Sequence, residues 1–139
     1  MSYLQKDKEK DFFKRTLYNL ELYNQGHKET PKDYKYEVTM MLNSLLGLLV
    51  VLKERTTLLN KVDINFLGYS GSSKDFFRHM RNSITHGHFI DSIQVDKKTK
   101  EIEEIIFVDK CPNCDKETFR QILTIEQLKQ LISKIKENI

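Results

Sequence analysis

The stretch FFRHMRNSITHGHF, residues 76–89, sets three histidines, two arginines and an asparagine among phenylalanines. On a helix that turns about 100° per residue, its apolar and small side chains gather in one arc of roughly 120°, which is the predicted buried face. That arc consists of Phe76, Phe77, Met80, Ser83, Ile84 and Gly87. The opposite arc consists of Arg78, Arg81, Asn82, Thr85 and His86. The stretch therefore predicts an amphipathic helix whose outer face is basic and polar.

The outer face of this helix offers the groups needed for proton transfer beside an anion. Arginine presents a planar fork of donors that matches phosphate oxygens, and histidine, with an ordinary pKa of about 6.5, exchanges protons near neutral pH. Asn82 precedes His86 by one turn, so its amide can orient the imidazole or bond a substrate. The same side chains are also common on solvated helix faces. Their spacing alone leaves a catalytic site and an ordinary polar surface both open.

Two further helices are predicted before this stretch. The spacing of apolar residues indicates the first over about residues 3–24 and the second from about residue 33 or 35 to residue 55. The second is apolar on almost all sides, which is typical of a central or interface helix. After it, the loop LGYSGSSKD, residues 67–75, offers Ser72 or Ser73 as the N-cap of the third helix.

One strip of the second helix is small or polar rather than apolar. It comprises Tyr36, Met40, Asn43, Gly47 and Glu54. Such a strip permits another backbone to approach closely. The approaching backbone can belong to the same chain or to a second copy of the protein, so internal packing and self-association both stay open.

After Gly87 the apolar pattern changes its period. The segments DSIQV (91–95) and EIEEIIFVD (101–109) flank the polar turn DKKTKE and predict a β-hairpin. The segment TIEQLKQLISKIKENI, residues 124–139, then predicts an amphipathic last helix with Thr124 as its N-cap. The core face of this helix is expected to contain Leu128, Leu131, Ile132 and Ile135.

Length and composition indicate one globular domain over residues 1–139. A content of 39% hydrophobic and 31% charged residues is that of a chain with a core, and a net charge of +3 is compatible with nucleic acid without demanding it. The N-terminus is charged throughout and has no secretory pattern. The longest apolar run, residues 38–52, is shorter than a membrane span needs. We therefore expect a cytoplasmic protein without a membrane segment.

The two cysteines, Cys111 and Cys114, form the motif CPNC. We expect a turn that carries reduced thiols, because two cysteines do not make a disulfide framework. Two alternatives stay open. One is half of a zinc site, completed by histidines such as His86 and His88, and the other is a redox motif, which lacks its usual βαβ context. No resident metal or cofactor is predicted.

The hexad RNSITH, residues 81–86, resembles the R-N-x-x-x-H form of the R-x4-H signature of HEPN domains, a superfamily of small helical ribonucleases and their relatives. The likeness extends over residues 10–135. The helix YEVTMMLNSLLGLLVVLKE (36–54), the RHMRNSITHG helix, a strand pair and a closing helix are similar in order to one bacterial HEPN branch. The resemblance implies a mainly α fold, a HEPN-like helical bundle of four or more helices with a small β-hairpin between the third and last helices.

The resemblance also implies an activity. Active family members are metal-independent endoribonucleases in which the RNA 2′-hydroxyl attacks the adjacent phosphate, leaving a 2′,3′-cyclic phosphate and a 5′-hydroxyl. Carried onto this chain, Arg81 would stabilise the charged phosphorane, Asn82 would position groups, and His86 would be the general base or acid. Two copies of the motif meet across a dimer in the family, so a homodimer with a composite active site is expected. The implied setting is toxin–antitoxin or antiviral defence, with a cognate antitoxin as a partner.

Three further residues are expected to contact RNA. Lys74 and Arg78 share the arc of Arg81, and contacts of this kind with phosphates add affinity without sequence preference. His88 stands where some HEPN toxins carry a tyrosine that a partner nucleotidyltransferase modifies, so that style of neutralisation is not expected here. The alternative function is a non-catalytic RNA-binding or dimerisation module that kept the helix pair.

Overall fold

The computed structural model describes residues 8–26, 37–55, 58–88, 93–95, 97–98 and 102–138. The α-helices within these ranges are α1, Lys8–Gly26; α2, Glu37–Arg55; α3, Ser73–Thr85; and α4, Ile125–Glu137. The strands are β1, Ile93–Val95; β2, Ile102–Lys110; and β3, Glu117–Thr124. Two short 3-10 helices, Leu58–Lys61 and Asn65–Leu67, lie between α2 and α3. The prediction of a mainly α fold with a β-hairpin between the third and last helices is confirmed.

The sheet is larger than the predicted hairpin. β1 and β2 pair antiparallel as expected, and β3 adds a third antiparallel strand in the order β1-β2-β3. Along β3 the buried side chains of Phe119 and Leu123 flank a half-buried Gln121, whose amide donates to the Leu67 carbonyl oxygen at 3.3 Å. This inward polar residue interrupts the alternation of apolar residues by which strands are recognised in a sequence.

The third helix begins and ends where its local sequence allows. The Ser72 hydroxyl accepts a hydrogen bond from the Asp75 amide at 3.1 Å, so Ser72 rather than Ser73 is the N-cap. At the other end Gly87 is left-handed, with φ of 68°. Its N–H donates to the Ile84 carbonyl oxygen, and the His88 N–H donates to that of Ser83. This pair of bonds is a Schellman cap, which glycine favours because it has no Cβ.

Helix α3 packs against both α2 and β2 and carries the centre of the core. Its buried side chains are Phe76, Phe77, His79, Met80, Ser83 and Ile84, which adds His79 to the predicted face. The Ser83 hydroxyl accepts from the Val108 amide of β2 at 3.0 Å and ties helix to strand. Helix α4 covers the sheet with the predicted face of Leu128, Leu131, Ile132 and Ile135, and Thr124 forms a capping box with Gln127.

Part of the unusual strip on α2 packs inside the chain. A Cβ placed on Gly47 would lie 3.9 Å from the end of the Phe12 ring, so this glycine faces α1. Asn43, one turn earlier, is exposed. Tyr36 and the side chain of Glu54 lie outside the described residues. None of the helices in the described ranges has the length and apolarity that a membrane crossing requires.

The CPNC motif forms the turn between β2 and β3, as predicted, but its thiols are not free. Cys111 and Cys114 are joined in a disulfide, with their Cα atoms 5.5 Å apart. The expectation of reduced thiols is therefore wrong. The Cys111 amide donates to the Lys116 carbonyl oxygen at 2.8 Å, and Asp115 is left-handed with φ of 57°. This tight closure brings the two cysteines within the Cα separation that a disulfide spans.

Candidate active site

Arg81 and Asn82 lie together in the last turns of α3, and both side chains are half-buried. The guanidinium of Arg81 donates from Nη2 to Oδ1 of Asn82 at 3.4 Å. Adjacent residues on a helix diverge by about 100°, so this contact requires the two side chains to turn toward each other. The cation and the amide of the motif thus form one unit.

His86 is the C-cap of α3 and its side chain is exposed. Its backbone N–H donates to the Asn82 carbonyl oxygen at 2.9 Å, so helical geometry continues to this residue. At a rise of about 1.5 Å per residue, the Cα atoms of Asn82 and His86 are separated by about 6 Å along the axis. The motif histidine therefore stands one turn beyond the Arg81–Asn82 unit, at the end of the same helix.

His88 lies beside His86. Their ring centroids are 5.7 Å apart and the ring planes are tilted by 30°. The Schellman cap at Gly87 fixes the backbone of His88, and its ring is half-buried. Its Nδ1 is buried without a hydrogen-bond partner in the described part of the chain. Two imidazoles are thus placed together at the C-terminal end of α3.

The two other predicted RNA contacts lie at the opposite end of the helix. Lys74 is exposed in the first turn and stands about 18 Å from His86 along the axis, at about 1.5 Å per residue. Arg78 is 50% exposed in its side chain, but its guanidinium donates to the Asp75 carboxylate at 2.6 Å. The structure therefore places Lys74 and Arg78 on the outer face without bringing them to His86.

Asp75 connects the loop before α3 to the helix. Its carboxylate accepts hydrogen bonds from the Tyr69 hydroxyl at 2.5 Å and from Arg78. These two bonds hold the pKa of Asp75 below its ordinary value. Burial, together with the bond to Asp75, raises the pKa of the Tyr69 hydroxyl to about 12. This cluster anchors the beginning of α3.

Sequence reasoning missed two residues beside the motif, His79 and Asp109. His79 is buried in α3 and its Nδ1 lies 2.7 Å from Oδ2 of Asp109, a buried carboxylate of β2. The same Oδ2 accepts from Nδ2 of Asn82 at 3.0 Å, and Oδ1 accepts from the Lys110 amide at 2.9 Å. The His79 ring stacks on Phe119, with centroids 4.8 Å apart. Asn82 is thus bonded on one side to Arg81 and on the other to a buried carboxylate.

The ionised state of Asp109 follows from these contacts. Burial by itself raises the pKa of this carboxyl, because the carboxylate loses water. The hydrogen bonds from His79, Asn82 and the Lys110 amide outweigh that effect, and the pKa of Asp109 lies below its ordinary value. Nε2 of His79 meets the Arg78 guanidinium at 3.1 Å, and a guanidinium can only donate. Nε2 also lies 3.6 Å from Oδ2 of Asp75, so the ring stands between the carboxylates of Asp75 and Asp109.

A helical signal for His79 exists in the sequence. His79, Asn82 and His86 follow the spacing i, i+3, i+7 and lie on one strip at the edge of the buried face. The partner Asp109 gives no such local signal, since it lies 30 residues from His79 and ends an apolar strand. Within the described ranges, no group of three histidine, cysteine, aspartate or glutamate side chains is placed to hold a metal ion.

Comparison with known proteins agrees with the motif. A family model described as HEPN pEK499 p136 matches residues 1–139. No curated protein and no solved structure matches the chain. The family match spans every residue that builds the site, including the RNSITH hexad and the strand that carries Asp109. The chain belongs to the HEPN pEK499 p136 family.

Proposed function

We propose that this protein is a metal-independent endoribonuclease that cleaves RNA by attack of the 2′-hydroxyl on the adjacent phosphate. The observation that carries the proposal is the arrangement at the end of α3. Arg81 and Asn82 are bonded to each other, and the exposed imidazole of His86 follows one turn later on a capped helix end. A cation for the phosphate and a proton-transfer group are therefore available on one rigid element.

The chemistry needs little more than these groups. His86 takes the proton of the 2′-hydroxyl, whose oxygen forms a bond to phosphorus. The bond from phosphorus to the 5′-oxygen breaks, and that oxygen receives a proton from a second group. Arg81 stabilises the extra negative charge on the phosphorane. The products are a 2′,3′-cyclic phosphate and a 5′-hydroxyl. Because RNA supplies its own nucleophile, this route requires no activated water.

A homodimer supplies the second proton-transfer group. One Arg81–Asn82–His86 set offers one imidazole, whereas the reaction uses both a base and an acid. A two-fold axis near the end of α3 would bring two sets to one phosphodiester. The second copy of His86 then protonates the leaving 5′-oxygen. Lys74, Arg78 and His88 contribute contacts to neighbouring phosphates, and the cellular role is that of a toxin or antiviral effector held by a cognate antitoxin.

The proposal is tested with single-stranded RNA and a DNA strand of the same sequence. Purified protein should cut the RNA, leave cyclic phosphate and 5′-hydroxyl ends, and spare the DNA, which lacks the 2′-hydroxyl. Excess EDTA should leave cleavage unchanged. RNA that is bound but not cut would support the non-catalytic module instead, and loss of cleavage in EDTA would overturn the metal-independent route.

A further inference from the structure

We infer that Asp109 is a positioning residue, which fixes the orientation of the Asn82 amide and through it the guanidinium of Arg81. The inference rests on the proposed function, since it assigns the second strand a part in the same reaction. Asp109 does not touch the substrate in this assignment. Asp109 is buried on the core side of α3 and acts through the side chain of Asn82.

The two ends of the Asn82 amide differ in chemistry, since its NH2 group donates and its oxygen accepts hydrogen bonds. An ionised carboxylate can only accept hydrogen bonds, so the NH2 group of the amide must face Asp109, at 3.0 Å. The amide oxygen is then turned the other way. There it accepts from Arg81, whose guanidinium can only donate, at 3.4 Å. Asp109 thereby determines which end of the amide meets the catalytic cation.

Asp109 is itself held rigidly. Its side chain is almost fully buried, with 4% of the residue exposed. Nδ1 of His79 and the Lys110 amide bond its two oxygens, and His79 is clamped against Phe119. The strand continues from Lys110 into the disulfide-closed turn. A carboxylate fixed from three directions is a suitable reference point for a half-buried amide.

The donor and the acceptor of the hydrogen bond between Asn82 and Asp109 can be exchanged by substitution. Asn82→Asp alone sets two carboxylates side by side, and their repulsion turns residue 82 away from strand β2. Asp109→Asn alone leaves one accepting oxygen for the three donors that Asp109 now satisfies. In the double variant the amide at position 109 donates to a carboxylate at position 82. The second carboxylate oxygen at position 82 still accepts from Arg81, so only the bond between positions 82 and 109 has its donor and acceptor exchanged. Oδ2 of Asp109, which the amide nitrogen replaces, also accepts from His79, and that bond is not restored.

The test compares RNA cleavage by the wild type, Asn82→Asp, Asp109→Asn and the double variant. We expect kcat to fall about 100-fold in Asn82→Asp and about tenfold in Asp109→Asn. KM should change little, because neither substitution removes a contact that binds RNA in the ground state. The double variant should exceed Asn82→Asp by at least about tenfold. Glu117→Gln is the matched control, since it neutralises a carboxylate of β3 that bonds only Arg120 among the described contacts. It should cleave like the wild type.

Each result decides the inference. A double variant that folds but cleaves no better than Asn82→Asp overturns it. If the double variant does not fold, because His79 has lost its acceptor, the kcat and KM of Asp109→Asn decide the inference. Asp109→Asn with wild-type kcat also overturns it. If Asn82→Asp does not fold while the double variant folds and cleaves, the exchange is supported. A wild type that cuts no RNA is a different outcome, because it removes the proposed function rather than the role of Asp109.

Discussion

The two halves of helix α3 differ in how their polar side chains are used. In the first half, Asp75 binds Tyr69 and Arg78, and His79 is buried against Asp109. In the second half, the ring of His86 is exposed, and Nδ1 of His88 is buried without a partner among the described residues. One helix thus carries a polar network at its beginning and, two turns after His79, the exposed imidazole of His86.

Polar side chains in the first half hold the helix in place, whereas those in the second half are available for the proposed reaction. The buried pair of His79 and Asp109 holds the first half in place, because loss of either partner leaves the other buried and unpaired. The second half needs a fixed backbone but available side chains, and the Gly87 cap provides the backbone. Asn82 is the junction, since it is bonded both to buried Asp109 and to Arg81. Substitutions in the open half should therefore change activity, and substitutions in the held half should change stability.

The sharpest contrast is expected at the motif itself. Arg81→Ala and His86→Ala should each lower the rate of RNA cleavage by about 100-fold or more, since one removes the phosphate cation and the other the proton acceptor. Thermal unfolding should show little loss of stability for His86→Ala, because that side chain is exposed. Thr85→Ala, at the neighbouring exposed position, is the control. Near-normal cleavage by either alanine variant would contradict the assignment.

Ser83 lies in the second half of α3 but faces the core, and it tests the buried contact between α3 and β2. Ser83→Ala leaves the buried Val108 amide without its acceptor, and we expect a loss of about 1–3 kcal/mol in the free energy of unfolding. Chemical denaturation measures this loss, with Thr85→Ala again as the exposed comparison on the same helix. The variant should retain cleavage below its unfolding transition. A stability equal to that of the wild type would mean that the bond between α3 and β2 is dispensable.

Loss of the disulfide between Cys111 and Cys114 is expected to have a smaller effect than the Ser83→Ala substitution. Changing Cys111 and Cys114 together to serine opens a very short loop, which the chain-entropy relation values at about 2 kcal/mol at most. The strand pairing and the bond from the Cys111 amide to Lys116 remain, so folding and cleavage should be nearly intact. Denaturation and cleavage assays of the double serine variant measure both. Zinc bound in stoichiometric amount to the wild type, and released on replacement, would contradict the disulfide.

A mixed dimer tests whether the open half is completed by a partner. Tagged His86→Ala chains are co-expressed with wild-type chains, and the heterodimer is isolated. Because a shared site uses one imidazole from each protomer, this heterodimer should have well under half of the wild-type cleavage rate. Sedimentation of the wild type should first show a homodimer at micromolar concentration. Retention of half the activity, or cleavage by a monomer, would show that each site is complete within one chain.

The smallest expected effect is the late ionisation of one tyrosine. The folded pKa of Tyr69, about 12, lies above its ordinary value of 10.0, so its contribution to stability is present below pH 10 and is lost as the pH rises toward 12. The chain has six tyrosines. In an absorbance titration of the folded protein, one tyrosinate should form late, near pH 12, and Tyr69→Phe should lack that late component. Cleavage near neutral pH should not change. If the amplitude that Tyr69→Phe loses lies near pH 10 rather than near pH 12, the bond to Asp75 is contradicted.

Much of the scaffold follows from local sequence. The N-cap at Thr124, the period of α3 and the apolar face of α4 depend on neighbours within a turn or two, and the structure has them as predicted. Of the two serines offered as the N-cap of α3, the structure has Ser72. The hairpin of β1 and β2 follows from period-two alternation around a polar turn. The arc of Arg81, Asn82 and His86 is likewise a matter of helical spacing. These features are set by short-range backbone and side-chain geometry, which a sequence displays directly.

What only the tertiary structure decided depends on contacts between distant residues. β3 was not predicted because Gln121 faces inward, toward the Leu67 carbonyl of a 3-10 helix that lies far away in the sequence. The pairing of Cys111 with Cys114 depends on the closure of the turn between two strands. His79 and Asp109 meet across 30 residues, and no periodicity relates a helix position to a strand position on another element. Packing of α3 against β2 creates that buried pair. It also creates the hydrogen bond from Asn82 to Asp109, which local spacing alone did not predict.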